Sequence, residues 1–441
     1  MTLALSTLLA SGHPPDGAVA IGDGQTRSYA RFAADVAGVA AAVQGSGSHR
    51  VAVVCDGSYA FCVGLFGALH AGADIVLPPN GQPGTLQSLR PHFDLLADDA
   101  FVAHTQGAAV ATWQALPTDR PALSFFTSGS TGTPKRITKT LGQLEREIAT
   151  LQTLWGENSG APVCSTVSHQ HVYGLTFKLL WPLAAGRPFV DETDAVWETL
   201  LARLTAGAEI VSSPAHLERL SGLLPLPAQC RPIRVFSAGA PLSFAAATAS
   251  KGLFGRRPTE IFGSTETGAF ASRVQRAGAE PWRLLPGIEM RCDDNGRLSL
   301  RAPYVAGDWF ETADLVEPTA EGFHHRGRAD RIVKIEGKRI SLADVDQALG
   351  RLPEVTAAAS VVLPETPPRL AAAVVLSADG RRRLAELGGF RFGRMLRDAL
   401  ADTQEAAGRP RAWRFVAALP SGPMGKRRDA DMIALFSKAQ S

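Results

Sequence analysis

The chain has 441 residues, 45% of them apolar, enough to bury a large core and more than one compact domain usually holds, so two domains are expected. Its formal charge is only +3 but unevenly spread: residues 330 to 441 carry 19 Lys and Arg against 13 Asp and Glu, and residues 1 to 329 carry 26 against 29. The dense basic stripes interleaved with aromatics of a nucleic-acid binder are missing, which leaves two readings of the basic tail, a surface for a small anionic ligand or acidic partner and a solvated face rich in arginine.

The N-terminal "MTLALSTLLASG" is apolar without a basic leader region, and the longest apolar stretch, "FCVGLFGALHAGADIVL", is cut by His70 and Asp74, so no membrane insertion is expected. Cys55, Cys62, Cys164, Cys230 and Cys292 are odd in number and scattered without metal-ligand spacing, which fits a reducing cytoplasm better than a disulfide framework. "RVAVVCDG" reads as a short buried strand, residues 59 to 71 as a helix and "ADIVLP" as the next strand, the rhythm of an open parallel α/β sheet. "PALSFFTSG", "RPIRVFSAG" and "PTEIFGSTE" each run a strand into a Gly, Ser or Thr loop, and ligands of such sheets gather where strands end, so one shared crevice is expected. After about residue 285 shorter alternating strands such as "RLSLRAP" and "HHRGRADRIVKI" take over. A small α+β unit follows, with helices near 341 to 350, 381 to 400 and 428 to 438 and strands at "ASVVLP", "AAAVVL" and "RFVAALP".

"FFTSGSTGTPKRI", residues 125 to 137, is the most distinctive stretch. It is not the common phosphate loop, which needs G-x-x-x-x-G-K-[ST], because Gly129 and Gly132 lie three apart and Thr133 and Pro134 separate Gly132 from Lys135. The physics of such a loop still applies. Glycines let backbone N–H groups turn onto an anion, the hydroxyls of Thr127, Ser128, Ser130 and Thr131 add donors, and Lys135 adds charge, so the loop suits a polyphosphate. The competing reading is a Ser/Gly surface linker, although linkers seldom follow a strand such as "LSFF" directly or end in Pro-Lys.

Five segments in order resemble the motifs of the adenylate-forming superfamily of acyl-CoA synthetases, aryl-acid ligases, luciferases and peptide-synthetase adenylation domains. "TSGSTGTPK" is similar to its phosphate-binding signature, "FGSTETG" (262 to 268) to its Y-G-x-T-E motif and "TADL" (312 to 315) to its T-G-D motif. "GRADRIVKIEG" (327 to 337) resembles its hinge motif and "LPSGPMGKRR" (419 to 428) its C-terminal lysine motif. The resemblance implies a large N-terminal α/β domain of layered sheets and helices, residues 1 to 328, and a small mobile α+β C-terminal domain, residues 329 to 441. It is to a compact form, with 126 residues ahead of Thr127.

The activity implied is ATP- and Mg²⁺-dependent joining of a small carboxylic acid to AMP with release of pyrophosphate. A thiol of CoA or of a phosphopantetheinyl acyl carrier protein then displaces AMP. By the resemblance, Thr127, Ser128, Gly129, Ser130, Thr131, Gly132 and Lys135 hold the outer phosphates, Thr265 the α-phosphate, and Glu266 the Mg²⁺. Asp314 takes the ribose hydroxyls, Arg328 the sugar or phosphate, and Gly239, Ala240 and Pro241 lie against adenine. Phe262, in place of the motif's Tyr, keeps a ring for adenine beside Gly263, and Ala313 replaces the motif's Gly. Lys426 is the implied adenylation lysine and Asp330 the hinge about which the small domain changes pose.

His171, with Tyr173 and Gly174 in "STVSHQHVYGL", matches a segment beside the acid pocket. Residues 165 to 175 contain no carboxylate to pair with a substrate ammonium, so an apolar or aromatic acid is expected rather than an amino acid. The contrasting reading, a nucleotide-binding regulatory or scaffold protein without turnover, has no use for Lys426, Glu266, Asp314 and Arg328 together.

Overall fold

A computed structural model describes residues 2–105, 112–128, 134–156, 160–335, 338–365, 368–401, 403–420 and 429–437. They divide into two compact units, Met1–Glu289 with Arg301–Asp308, and Met290–Leu300 with Trp309–Ser441. The expected boundary after residue 328 falls inside the second unit, at the single helical turn Ala329–Arg331.

The first unit is built on two sheets. One has five strands in the spatial order Leu95–Ala97, Arg50–Val53, Asp74–Leu77, Pro121–Ser128 and Pro134–Thr140. Its pairings are parallel except the last, where the chain doubles back and Thr127 stands opposite Lys135. Helix Ser58–His70 joins two of the parallel strands and is buried nearly all round, which explains its continuously apolar sequence. At Gly67 an added Cβ would lie 2.4 Å from Val39 Cγ1, so glycine lets this helix close onto helix Tyr29–Ser46.

The other sheet has nine strands and a parallel centre running from Thr259–Ser264 through Arg234–Ser237, Glu209–Ser212, Val163–Ser165 and Phe189–Val190 to Ala18–Gly22. Antiparallel partners close both ends, Gln25–Ser28 at one and Gly268–Arg273 with Arg283–Leu284 at the other. Buried Glu209 is held between Arg187 and Arg234, each at 2.8 Å, so the charge under this sheet is neutralised on two sides. The α/β class therefore stands, but the three loop-bearing strands do not share one sheet. Pro121–Ser128 belongs to the five-stranded sheet, while Arg234–Ser237 and Thr259–Ser264 are neighbours in the nine-stranded one.

The second unit starts with a four-stranded sheet, Glu289–Cys292, Arg297–Arg301, Phe310–Thr319 and Gly322–Arg328, followed by the hairpin Ile332–Ile335 with Lys338–Ser341. A three-stranded sheet, Val355–Leu363, Arg369–Leu376 and Ala412–Phe415, then separates two apolar layers. Along Arg369–Leu376 the side chains alternate. Leu370, Ala372, Val374 and Leu376 pack with Leu349, Phe392 and Leu396, whereas Ala371 and Ala373 pack with Met432 of helix Asp429–Ser437. Helix Ala378–Ala399 is broken at Gly388, whose φ of 72° only glycine adopts without strain.

Candidate active site

The strand Thr259–Ser264 and its antiparallel partner Gly268–Arg273 are joined by a tight turn, and the turn holds Thr265 and Glu266. Ser264 N–H donates to Thr267 Oγ1 at 3.0 Å and Thr267 N–H donates to Ser264 Oγ at 3.2 Å, so the two hydroxyls close the turn reciprocally. The register slips between Phe262 and Gly263, and a Cβ on Gly263 would fall 2.2 Å from Gly268 O. Glycine is what lets the two strands approach here.

Lys135, on the other sheet of the same unit, donates from Nζ to Glu266 Oε1 at 3.0 Å. The pair brings together the end of the Ser/Gly/Thr stretch and the turn of "FGSTETG", two segments 131 residues apart that belong to different sheets. Burial pushes the Glu266 carboxyl up, but hydrogen bonds from Lys135, from its own backbone and from Ser264, with the Lys135 charge, more than offset this and hold it below the usual carboxylate range. The carboxylate is ionised at neutral pH and already faces a cation.

That chemistry fits a hard divalent ion. Among the described residues no three His, Cys, Asp or Glu side chains gather into a metal cage. Mg²⁺ is commonly held by one or two carboxylates together with substrate phosphates, and Glu266 supplies that kind of donor.

Gly239, Ala240 and Pro241 form an exposed turn directly after strand Arg234–Ser237, and Gly239 has a φ of 97°, which accounts for the glycine. Phe262 lies one strand over, its ring edge-on to Phe270 at 5.0 Å and tilted against Trp282 at 4.9 Å. The Phe that replaces the motif's Tyr is thus held by two further rings. In the second unit Asp314 and Arg328 are opposite each other on paired strands. Asp314 Oδ1 lies 3.1 Å from His325 Nε2 and 3.7 Å from the Arg328 guanidinium, so two partners orient the carboxylate. Asp330 lies in the turn Ala329–Arg331. Gly129, Ser130, Thr131, Gly132 and Lys426 lie outside the described residues, and Thr127 and Ser128 end the strand Pro121–Ser128.

His171 is half-buried and its carbonyl accepts from Leu175 N–H at 2.8 Å, which starts the short helix carrying Tyr173. Sequence reasoning passed over His169, two residues earlier, which is fully buried. Its Nε2 lies 2.9 Å from Cys55 O, which can only accept, so Nε2 carries the proton and Nδ1 accepts from Ser58 Oγ at 3.1 Å. Lys178 Nζ in turn donates to Ser58 Oγ at 2.5 Å, to Thr193 Oγ1 at 2.9 Å and to Glu192 O at 3.0 Å. The signal for Lys178 was present in "LTFKLLW", a single cation in an apolar run. Alongside, Tyr173, Phe177 and Phe236 form a chain of rings with centroids 5.0 and 5.1 Å apart, and Phe177 and Phe236 are buried in the core against Trp181.

Burial and the nearby Lys178 charge push His169 down to about 3, so it is neutral in the folded chain. A folded value below the unfolded one means that its contribution to stability is complete above pH ~6.5 and is lost as pH falls toward about 3, by up to ~1.4 kcal/mol per unit. His169→Gln should therefore flatten the acid limb of urea-unfolding free energy against pH. An unchanged slope between pH ~6 and ~4 would assign that limb to other groups.

The comparisons with known proteins place this two-sheet unit and its cation-facing carboxylate in the adenylate-forming class. A family described as AMP-binding enzyme matches residues 77–303. A 4-coumarate–CoA ligase of Rhodobacter capsulatus is 32% identical over 355 residues, 79% of this chain and 81% of that protein. An anthranilate–CoA ligase of Pseudomonas aeruginosa is 30% identical over 326 residues, 62% of this chain and 59% of that protein. Among solved structures, a benzoate CoA ligase from Burkholderia xenovorans has the same fold, with a TM-score of 0.76 at 21% identity over 98% of this chain and 99% of that one. The chain belongs to the AMP-binding enzyme family.

Proposed function

We propose that this chain is an acid–thiol ligase that activates an apolar or aromatic carboxylic acid as its acyl-adenylate and passes the acyl group to a thiol. The acid's carboxylate oxygen attacks the α-phosphorus of ATP, and the bond to the bridging oxygen breaks as pyrophosphate leaves. The thiol sulfur then attacks the acyl carbon, and the carbon–oxygen bond to AMP breaks. The observation that carries this reading is the Lys135–Glu266 contact, which joins the phosphate-loop lysine to the turn of the T-E motif. Lys135 neutralises phosphate charge, Glu266 offers a carboxylate to Mg²⁺, and Thr265 in the same turn meets the α-phosphate. Mg²⁺ offsets charge on the transferring phosphates when bound.

Asp314 takes the ribose hydroxyls, with Arg328 alongside, and Gly239 to Pro241 and Phe262 flank adenine. His171 stands at the substrate side, Lys426 supplies the ammonium for adenylation, and the C-terminal part changes pose about Asp330 between the two half-reactions. An aryl acid is favoured by the named aryl substrates of the relatives. CoA is favoured as the thiol by the same relatives, and the basic excess of residues 330 to 441 suits its phosphates as well as an acidic carrier protein. Among the described residues no helix is long and apolar enough to cross a membrane, and none of the five cysteines forms a disulfide, in keeping with a cytoplasmic enzyme.

The test is acid-dependent pyrophosphate release with ATP and Mg²⁺ across benzoates, hydroxycinnamates, fatty acids and amino acids, followed by mass analysis of CoA and holo-carrier protein offered with the best acid. An aryl acid should give the highest kcat/KM and CoA should gain the acyl mass. Strict preference for an amino acid would overturn the substrate class, and silence from protein that binds ATP would overturn the ligase reading.

A further inference from the structure

Two buried charged side chains lie behind the Thr265–Glu266 turn, and the reaction as described does not use either. On the strand Pro134–Thr140 every second side chain shares a face, so Lys135 and Lys139 point the same way. Lys135 takes the carboxylate of Glu266, and Lys139 donates from Nζ to the backbone carbonyl of the same residue at 2.9 Å. Lys139 is only 2% exposed. Glu147, 3% exposed, extends from helix Leu141–Trp155 and accepts from Ala269 N–H at 2.9 Å, on the far side of the turn.

Glu147 also occupies the space a side chain at Gly268 would need, since a Cβ there would lie 2.6 Å from its Oε2, and Gly268 has a φ of 65°. The helix starts one residue after Thr140, whose side chain accepts from Gln143 N–H while its own N–H donates to the Gln143 side chain, so strand and helix present Lys139 and Glu147 from one rigid corner. Burial pushes Lys139 down and Glu147 up, and each is opposed by the other's charge. Apolar side chains at both positions would fill the same volume at no desolvation cost, so the pair is a poor device for stability alone. What it does supply is a bond to the backbone at each end of the turn.

We propose that Lys139 and Glu147 are positioning residues that grip the 266–269 backbone from behind and so fix Thr265 and Glu266 for the α-phosphate and Mg²⁺. The proposal rests on the ligase reading for the identity of what the turn meets. Outer partners of this kind typically change metal affinity or activity by ~10- to 100-fold when removed.

The decisive variant is Lys139→Met with Glu147→Leu, which leaves no buried charge unpaired, accompanied by Glu147→Gln, which keeps an acceptor for Ala269 N–H. Three quantities are read: the thermal midpoint, amide hydrogen exchange across residues 264–269, and the Mg²⁺ concentration for half-maximal ATP binding by calorimetry. The double variant should melt close to the parent, exchange at 264–269 at least ~10-fold faster and need ~10-fold more Mg²⁺, while Glu147→Gln stays within about threefold of the parent in exchange. A folded double variant with parental exchange and Mg²⁺ requirement overturns the proposal. So does unfolding of both variants, which would make the pair purely structural. If the parent itself binds no ATP with Mg²⁺, the ligase reading falls, and the exchange rates still decide whether the pair holds the turn.

Discussion

Lys426→Ala should lower acid-dependent pyrophosphate release by about 100- to 1,000-fold, the cost of removing one preorganised donor from a site where charge develops. Adenylation brings a carboxylate against a phosphate, and their mutual repulsion is largest as the new bond forms. An ammonium at that point helps the transition state more than either separated reactant, so the loss should fall on kcat rather than on ATP affinity. ATP should still bind, because in the proposed site Lys135 and the 127–132 stretch would hold the outer phosphates without Lys426. A second arm separates the two half-reactions: acyl-adenylate supplied directly should pass its acyl group to the thiol at close to the parental rate. Measured with stopped pyrophosphate release and with thioester formation from synthetic adenylate, equal losses in both would remove Lys426 from the adenylation step, and no loss in either would remove it from the chemistry.

The local order of the chain was legible because local order is what hydrophobic period and turn chemistry encode. The strand, helix and strand over residues 50 to 77 are apolar except at their ends, since all but the end positions are largely buried, and the expected elements there agree with Arg50–Val53, Ser58–His70 and Asp74–Leu77. Residue alternation likewise located Arg297–Arg301, and a continuous apolar run located Arg369–Leu376. Sheet membership was hidden, because a βα rhythm is the same whichever sheet its strand joins and only long-range pairing assigns Pro121–Ser128 to one and Thr259–Ser264 to the other. The strand Pro134–Thr140 was also missed. "PKRITKT" looks like a polar surface until Lys139 finds a carbonyl 127 residues away. Glu147 left one trace, an acid on the apolar stripe of Leu144, Ile148 and Leu151, which helical spacing exposes and a motif search does not. In the segment 165–175 the family motif drew notice to His171, whereas the fully buried ring is His169, a distinction set by Ser58 and Cys55 more than a hundred residues upstream.

Gly263→Ala should reduce pyrophosphate release by ~100-fold or more while destabilising the first unit by about 1–3 kcal/mol, the usual cost of overpacking. The added Cβ would lie 2.2 Å from Gly268 O, 2.9 Å from its carbonyl carbon and 3.0 Å from Ala269 Cα. All three are backbone of the partner strand, so no side chain can swing aside, and the hairpin must open at the slip between Phe262 and Gly263. Opening it displaces the next residues in line, Ser264, Thr265 and Glu266, and a shift near 1 Å at a positioning element is enough for a loss of that size. The rest of the nine-stranded sheet is held by pairings that do not involve this corner, so the protein should remain folded. Gly252, on helix Phe244–Phe254, is the contrasting site: a Cβ there meets nothing within 4 Å, so Gly252→Ala should stabilise by about 0.5–1 kcal/mol and leave activity unchanged. Comparing the two by thermal melts and steady-state kinetics separates a steric effect on the turn from a general effect of adding a methyl group. If Gly263→Ala retained parental kcat in a folded protein, the Thr265–Glu266 turn would not be the element that the chemistry depends on.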